Sequence, residues 1–181
     1  FHFRTRQKTS APSKAPLNKF AVGESCSGKR KLVPKTKNDL IETVNFSREN
    51  NIPLLARGGG TSQCGQTVNK AIVIDNSKYL NKILDFDKDN MTCIVEPGIV
   101  LDELNRFLKP YGLWFPVDVS TSSRATIGGM AGNNSCGGRS IRYGMMRDNV
   151  LEIEAILSDG SIYNFGKLDE KNILSSKEFA P

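Results

Sequence analysis

Hydrophobic positions along the chain fall into short β-branched runs and a few stripes at helical spacing. Leu32-Val33-Pro34 reads as a short strand. Thr36 with Asp39 three residues on reads as a helix N-cap with its capping box. That predicts a helix over 37–50 with Phe46 inside it and Leu40 and Val44 at i, i+4 on the buried side. Residues 52–56 are the next strand and 71–75 a buried one. Residues 83–86 and 91–96 read as two strands joined by the turn Asp87-Lys88-Asp89-Asn90. A helix over 100–109 follows, with Leu101, Leu104 and Leu108 as its core stripe and Pro110 and Gly112 as its stop. The last strong pattern is a strand over 150–157, the turn Asp159-Gly160 and a return strand over 162–165.

Two stretches break this pattern. The first, LARGGGTSQCGQ over 55–66, follows directly on a strand. Three consecutive glycines are costly to order and suit backbone that approaches something closely or adopts positive φ. Consecutive N–H groups at a strand end make an anion-binding concavity. Thr61 and Ser62 add hydroxyls, and Arg57 adds a charge suited to phosphate oxygens. The expectation is a loop that cradles a phosphate or pyrophosphate; the alternative is a plain Gly-rich turn. A P-loop is excluded, because Gln66 stands where its lysine would be and a strand, not a helix, follows. The Rossmann spacing is absent too. The second stretch, over 116–144, is polar, rich in glycine, hydroxyl residues and asparagine, and far longer than the usual connection of roughly 2–6 residues. Within it, the small residues of 127–132 allow a short helix to pack tightly or a ligand to approach.

Composition narrows the class. The chain has 181 residues, 38% hydrophobic and 24% charged, as an ordinary globular domain has. The net charge of +6 is a local matter. Residues 1–37 carry ten Lys/Arg against one acid, and the remainder is mildly acidic. Residues 1–30 lack periodicity and read as a basic tail, disordered or extended. No nucleic-acid partner is expected, since the basic excess lies outside the folded body. No apolar run approaches the ~20 residues that span a bilayer. The four cysteines are widely spaced and the single histidine is His2, so neither a zinc site nor a disulfide framework is expected. The location expected is cytoplasmic, with attachment to a membrane periphery or organelle import through the Arg- and Ser-rich start as alternatives.

The two loops together resemble the FAD-binding domain (PCMH type) of the vanillyl-alcohol-oxidase-like flavoproteins. Within them the chain is most similar to the FAD-linked oxidases of the D-lactate dehydrogenase, glycolate oxidase and D-2-hydroxyglutarate dehydrogenase group. The resemblance runs from about Leu32 to Phe165. It is carried by Arg57-Gly-Gly-Gly-Thr-Ser62 with Gly65-Gln66, Val95-Glu-Pro-Gly98, Pro116-Val-Asp118, Ser120-Thr-Ser-Ser123, Ala125-Thr-Ile-Gly-Gly129, Gly132-Asn-Asn-Ser-Cys-Gly137, Arg142-Tyr-Gly144 and Asp159-Gly160.

The resemblance implies an α+β fold of two subdomains, about 31–90 and 91–181, with mixed sheets flanked by helices. It implies FAD as cofactor. Arg57, Gly58, Gly59, Gly60, Thr61, Ser62 and Gln66 would wrap the pyrophosphate. Pro116, Asp118, Ser122, Thr126, Gly128, Gly129, Gly132, Asn133, Ser135, Arg139, Ser140 and Tyr143 would line the rest of the cofactor, with the backbone near Val150 meeting the flavin nucleotide. Relatives with covalent FAD often carry a histidine in the first loop; Thr61 stands there, which implies non-covalent FAD. Ala56 replaces a usual proline, Gly138 a common alanine, and Met145-Met146 a more polar pair. The implied reaction is oxidation of a D-2-hydroxy acid of the lactate, glycolate or 2-hydroxyglutarate type, with an electron acceptor as second partner. The catalytic base and the substrate residues are not identifiable in this chain. Relatives take them from a cap domain that is expected to be missing here. The rival readings are a non-catalytic flavin-binding module and a different flavoenzyme on the same scaffold.

Overall fold

The computed structural model describes the strand Val22–Glu24 and residues 30–166. The first layer is a four-stranded sheet. Strand β1 (Val22–Glu24) runs antiparallel to β2 (Arg30–Leu32). Strand β3 (Leu54–Arg57) and β2 both pair in parallel with β4 (Ile72–Asp75), giving the order β1-β2-β4-β3. Thus β4 is the middle one of the three parallel strands, and all four of its residues are buried. A strand buried on both faces needs an unbroken apolar run, and Ile72-Val73-Ile74 is one.

Between β2 and β3 lies helix α1 (Lys37–Glu49). The capping box is present: Asp39 N–H donates to Thr36 Oγ1 at 3.2 Å, and Thr36 N–H donates back to Asp39 Oδ2 at 3.1 Å. The buried face differs from the one expected. Leu40 and Phe46 pack with Ile52 and Leu54 onto Leu32, Ile72 and Ile74, but the two fully buried helix positions are Thr43 and Ser47 rather than Val44. Both hydroxyls are satisfied on backbone carbonyls, Thr43 on Asp39 and Ser47 on Ile52.

A second layer begins with the hairpin β5 (Ile83–Asp87) and β6 (Thr92–Val95), antiparallel and irregular at Leu84. It packs against helix α2 (Leu101–Leu108) through Ile83, Phe86, Cys93 and Val95. The stripe Leu101, Leu104 and Leu108 is buried as expected. Leu104 and Leu108 face the hairpin, while Leu101 belongs to a separate core with Val117, Ala125, Met130 and Met146. Helix α2 therefore joins two cores. Gly98, just before it, sits where a Cβ would lie 2.0 Å from the Asn76 carbonyl oxygen, so the start of α2 is packed on the end of β4.

Several boundaries move. Strand β2 ends at Leu32, and Pro34 is a buried residue after it. Strand β3 starts two residues later than read and includes Arg57. The last strand, β7 (Ile153–Ile156), starts three residues after Val150 and pairs with β8 (Ile162–Phe165). Residue 90, the expected division between subdomains, falls inside the β5–β6 hairpin. The stretch 116–144 is not one loop. It contains helix α3 (Ile127–Gly132) and the single turn α4 (Ser140–Tyr143), and α5 (Met146–Asn149) follows it. The chain then returns to the first layer. Arg48 of α1 donates to the Asp159 carbonyl, Gly160 lies against the Asn45 side chain, and Lys37 pairs with Glu154 at 2.7 Å. Strand β1 lies in the stretch read as disordered or extended; the other residues before Arg30, with Cys26 among them, and residues 167–181 lie outside the described residues.

Candidate functional site: two glycine loops clamped together

The chain leaves the carboxyl end of β3 into the glycine loop and re-enters the sheet as β4. The carboxyl ends of parallel strands are where open α/β sheets place ligands. The backbone N–H groups of residues 58–62 find no acceptor among the described residues. Five successive donors left open at a strand end fit a phosphate-bearing group. Gly60 has φ +67°, which L side chains avoid. Gln66 is half-buried beyond the loop.

The glycines do a second job that the sequence did not show. A Cβ on Gly58 would lie 2.0 Å from Thr126 Oγ1, and one on Gly59 would lie 2.1 Å from the Arg124 carbonyl oxygen. Those contacts lock the first loop to the second. Thr126 is buried, caps α3 by accepting from Gly129 N–H at 3.3 Å, and forms a bridge with Val100. Gly128 donates to the Pro97 carbonyl at 2.8 Å and packs on that proline. The N–H groups of Gly128 and Gly129, two residues expected to line the cofactor, thus bond to the Pro97 carbonyl and the Thr126 hydroxyl, while Gly129 itself is exposed. Those two bonds help to hold the loop. Gly132 ends α3 and is exposed, with Asn133 exposed as its C-cap.

Arg57 is likewise tied down. Its Nη2 lies 3.4 Å from Asp75 Oδ2, and Lys31 Nζ reaches the same oxygen at 2.6 Å. Ser77 donates to Asp75 Oδ1 through its N–H at 3.0 Å and its hydroxyl at 2.6 Å. Burial pushes the Asp75 carboxyl up, but the bonds from Lys31 and Ser77 outweigh it and hold the group below the usual carboxylate range. Arg57 Nε is buried with no hydrogen-bond partner among the described residues. In the sequence Asp75 is the end of a strand, and a carboxylate closing an otherwise apolar buried run is the signal for its role.

Farther along the second stretch, Asp118 organises the turn before α4. Its Oδ1 accepts from Arg139 N–H at 2.9 Å, and Oδ2 lies 3.6 Å from Arg139 Nε. Gly137 is pressed on the Asp118 carbonyl and donates to Ser140 Oγ at 2.9 Å. The Arg139 guanidinium stacks 5.1 Å over Trp114, whose ring meets Tyr143 edge-on at 5.2 Å. In the sequence Trp114 lies within the short apolar segment 113–115, which does not by itself mark a site. Ser135 donates to Met130 and accepts from Met146, so its backbone joins α3 to α5. Pro116 precedes the fully buried Val117. Ser122 N–H donates to Val119, and Ser122 O accepts from Asp102. Val150 N–H donates to the Met146 carbonyl, and its side chain is half-buried against the core just before β7. The structure therefore joins Gly58 to Thr126 and Gly59 to Arg124, and it joins Asp118 to Arg139 and Gly137, with Trp114 and Tyr143 alongside.

Among the described residues no three His, Cys, Asp or Glu side chains gather to hold a metal ion, and no helix is long and apolar enough to cross a membrane. Cys64 and Cys136 are exposed; Cys93 is half-buried, and burial pushes its thiol up.

Fold and loops define an α+β domain whose two glycine-rich segments are clamped at the carboxyl end of β3 in a mixed sheet. The chain belongs to the FAD binding domain family, whose pattern it matches over residues 29–166. It is 36% identical over 148 residues to the D-2-hydroxyglutarate dehydrogenase of Haemophilus influenzae, covering 80% of this chain and 14% of that protein. It is 36% identical over 141 residues to the D-lactate dehydrogenase of Archaeoglobus fulgidus, covering 77% of this chain and 31% of that one. The chain thus spans less than a third of either relative. Among solved structures, an alkyldihydroxyacetonephosphate synthase superposes with a TM-score of 0.68 at 22% identity, over 80% of this chain and 28% of that one. The α+β, FAD-binding PCMH-type fold and the place among the FAD-linked oxidases follow.

Proposed function

We propose that this chain is the cofactor-binding part of an FAD-dependent dehydrogenase of D-2-hydroxy acids. The observation that carries it is the row of open N–H donors at 58–62, fixed at the carboxyl end of β3 by the contact with Arg124 and Thr126. These donors would hold the FAD pyrophosphate. The hydroxyls of Thr61 and Ser62 would add to them, and the second segment through Arg139 and Tyr143 would line the remaining nucleotide. Binding is non-covalent, because Thr61 stands where covalent relatives use histidine. When bound, FAD supplies the oxidising chemistry, accepting the hydride from the α-carbon of the hydroxy acid. The chain binds and orients it; the group that takes the hydroxyl proton and the electron acceptor lie elsewhere. The two relatives' names support 2-hydroxyglutarate and lactate as the substrate type.

The test uses protein expressed from its complete reading frame. A flavin absorption band that survives gel filtration and is released on denaturation is expected. Anaerobic addition of D-2-hydroxyglutarate, D-lactate or glycolate should bleach that band with at least one of the three. Protein that returns colourless from FAD, or flavin that stays oxidised with all three, overturns the reading.

A further inference from the structure

We propose that Asp75 is the positioning residue of the glycine loop and acts on its ligand's phosphates through Arg57. The proposal rests on the FAD reading for the identity of the ligand. In the sequence, Arg57 was the obvious phosphate cation. In the structure its guanidinium is turned toward the sheet and held by Asp75. Its Cδ and Nε lie 3.6 and 3.7 Å from the place a Cβ on Gly60 would occupy, and all of that place's nearest neighbours are atoms of Arg57. The side chain is therefore the floor under the one glycine of the three with positive φ. Arg57 and Asp75 are register partners on adjacent strands, so the tie is short and set by the sheet. Asp75 does not face a phosphate itself, since both of its oxygens are occupied by Lys31, Arg57 and Ser77. Arg57 has no other anion among the described residues. Without the carboxylate its long side chain is free to leave the floor, and the loop loses the backbone geometry that aims its donors.

The readout is phosphate preference, measured by calorimetry as the ratio of ADP to adenosine affinity in apoprotein from the complete reading frame. Asp75→Asn is expected to lower that ratio on the order of tenfold, the worth of a charge-assisted contact, with adenosine binding changed less than twofold. Asp75→Glu, which keeps the charge, should retain most of the preference. If Asp75→Asn does not fold, the double variant Lys31→Met/Asp75→Asn, which removes the paired cation with the anion, takes its place. A folded Asn variant with full preference overturns the role of Asp75 and leaves the FAD reading standing. Equal weakening of both ligands in the Asn and Glu variants also overturns it, because that is a purely structural effect. Wild-type protein with no ADP preference overturns the FAD reading and this proposal with it.

Discussion

Gly58 and Gly59 look equivalent in sequence but face different kinds of neighbour. Gly58 meets a side-chain hydroxyl, Thr126 Oγ1, while Gly59 meets a main-chain carbonyl, Arg124 O. A methyl group at either position forces the loops apart, but only the first clash can be removed by mutation. Gly58→Ala is expected to weaken FAD binding at least tenfold, and to do so much less on a Thr126→Ala background, where the Oγ1 is gone. Thr126→Ala alone gives up an N-cap, at a cost of about 1 kcal/mol. Gly59→Ala should be equally harmful on either background. The double-mutant cycle, read by flavin fluorescence, gives the coupling directly; additive effects of Gly58→Ala and Thr126→Ala would contradict the contact. None of this was legible in the sequence. The glycine run marked a place of close approach, but what approaches is a residue from the other half of the chain.

At the scale of elements, legibility followed locality. The cap of α1 was readable because Thr36 and Asp39 satisfy each other within one turn. Thr36→Ala should lower stability by about 1 kcal/mol, seen as a shift of the denaturant midpoint with unchanged slope; no shift would mean the cap is idle. The stripe of α2 was readable because three leucines at helical spacing can serve only a buried face. Helices α4 and α5 were not readable, since four residues carry no period. Their turns exist because Asp118 captures Arg139 N–H and because the Asp148 carboxylate accepts from Met145 N–H at 2.8 Å. The buried face of α1 differs from the one its hydropathy predicts for a related reason: Thr43 and Ser47 hide their hydroxyls on nearby carbonyls, which hydropathy does not register.

At the scale of the molecule, Asp75 ties three strands together, with Lys31 from β2 and Arg57 from β3 meeting on β4. Its carboxyl is held below its unfolded value of about 3.9. A group depressed on folding contributes stability that is complete above the unfolded value and is lost as pH falls through the folded one. The melting temperature should therefore hold from neutral pH to about 4 and drop below it. Asp75→Asn, already less stable at pH 7, should show a shallower drop. Part of the slope remains in that variant, because the Lys35 N–H holds the Asp39 carboxyl down in the same sense. Parallel slopes for the two proteins would remove Asp75 from the acid response. The α+β class was legible at this scale, and so was the pairing of a glycine loop with a strand end. The return of the β7–β8 hairpin to α1 was not, because it depends on Arg48 finding a carbonyl far away in sequence.

The order of the strands gives the glycine loop one more consequence. Strands β3 and β4 are parallel neighbours, yet the connection between them is the irregular segment 58–71 and not a helix. Parallel pairing demands a crossover, and among the described residues this crossover holds one backbone–backbone hydrogen bond of its own, from Val68 N–H to the Gly65 carbonyl at 3.4 Å. Strand β4 is thus tethered by a glycine-rich segment that surrenders much backbone freedom on ordering. A ligand that fastens the segment shortens the search by which β4 finds its slot between β2 and β3. The cofactor is then a folding partner as well as a reagent, and refolding in its presence should be faster as well as more favourable.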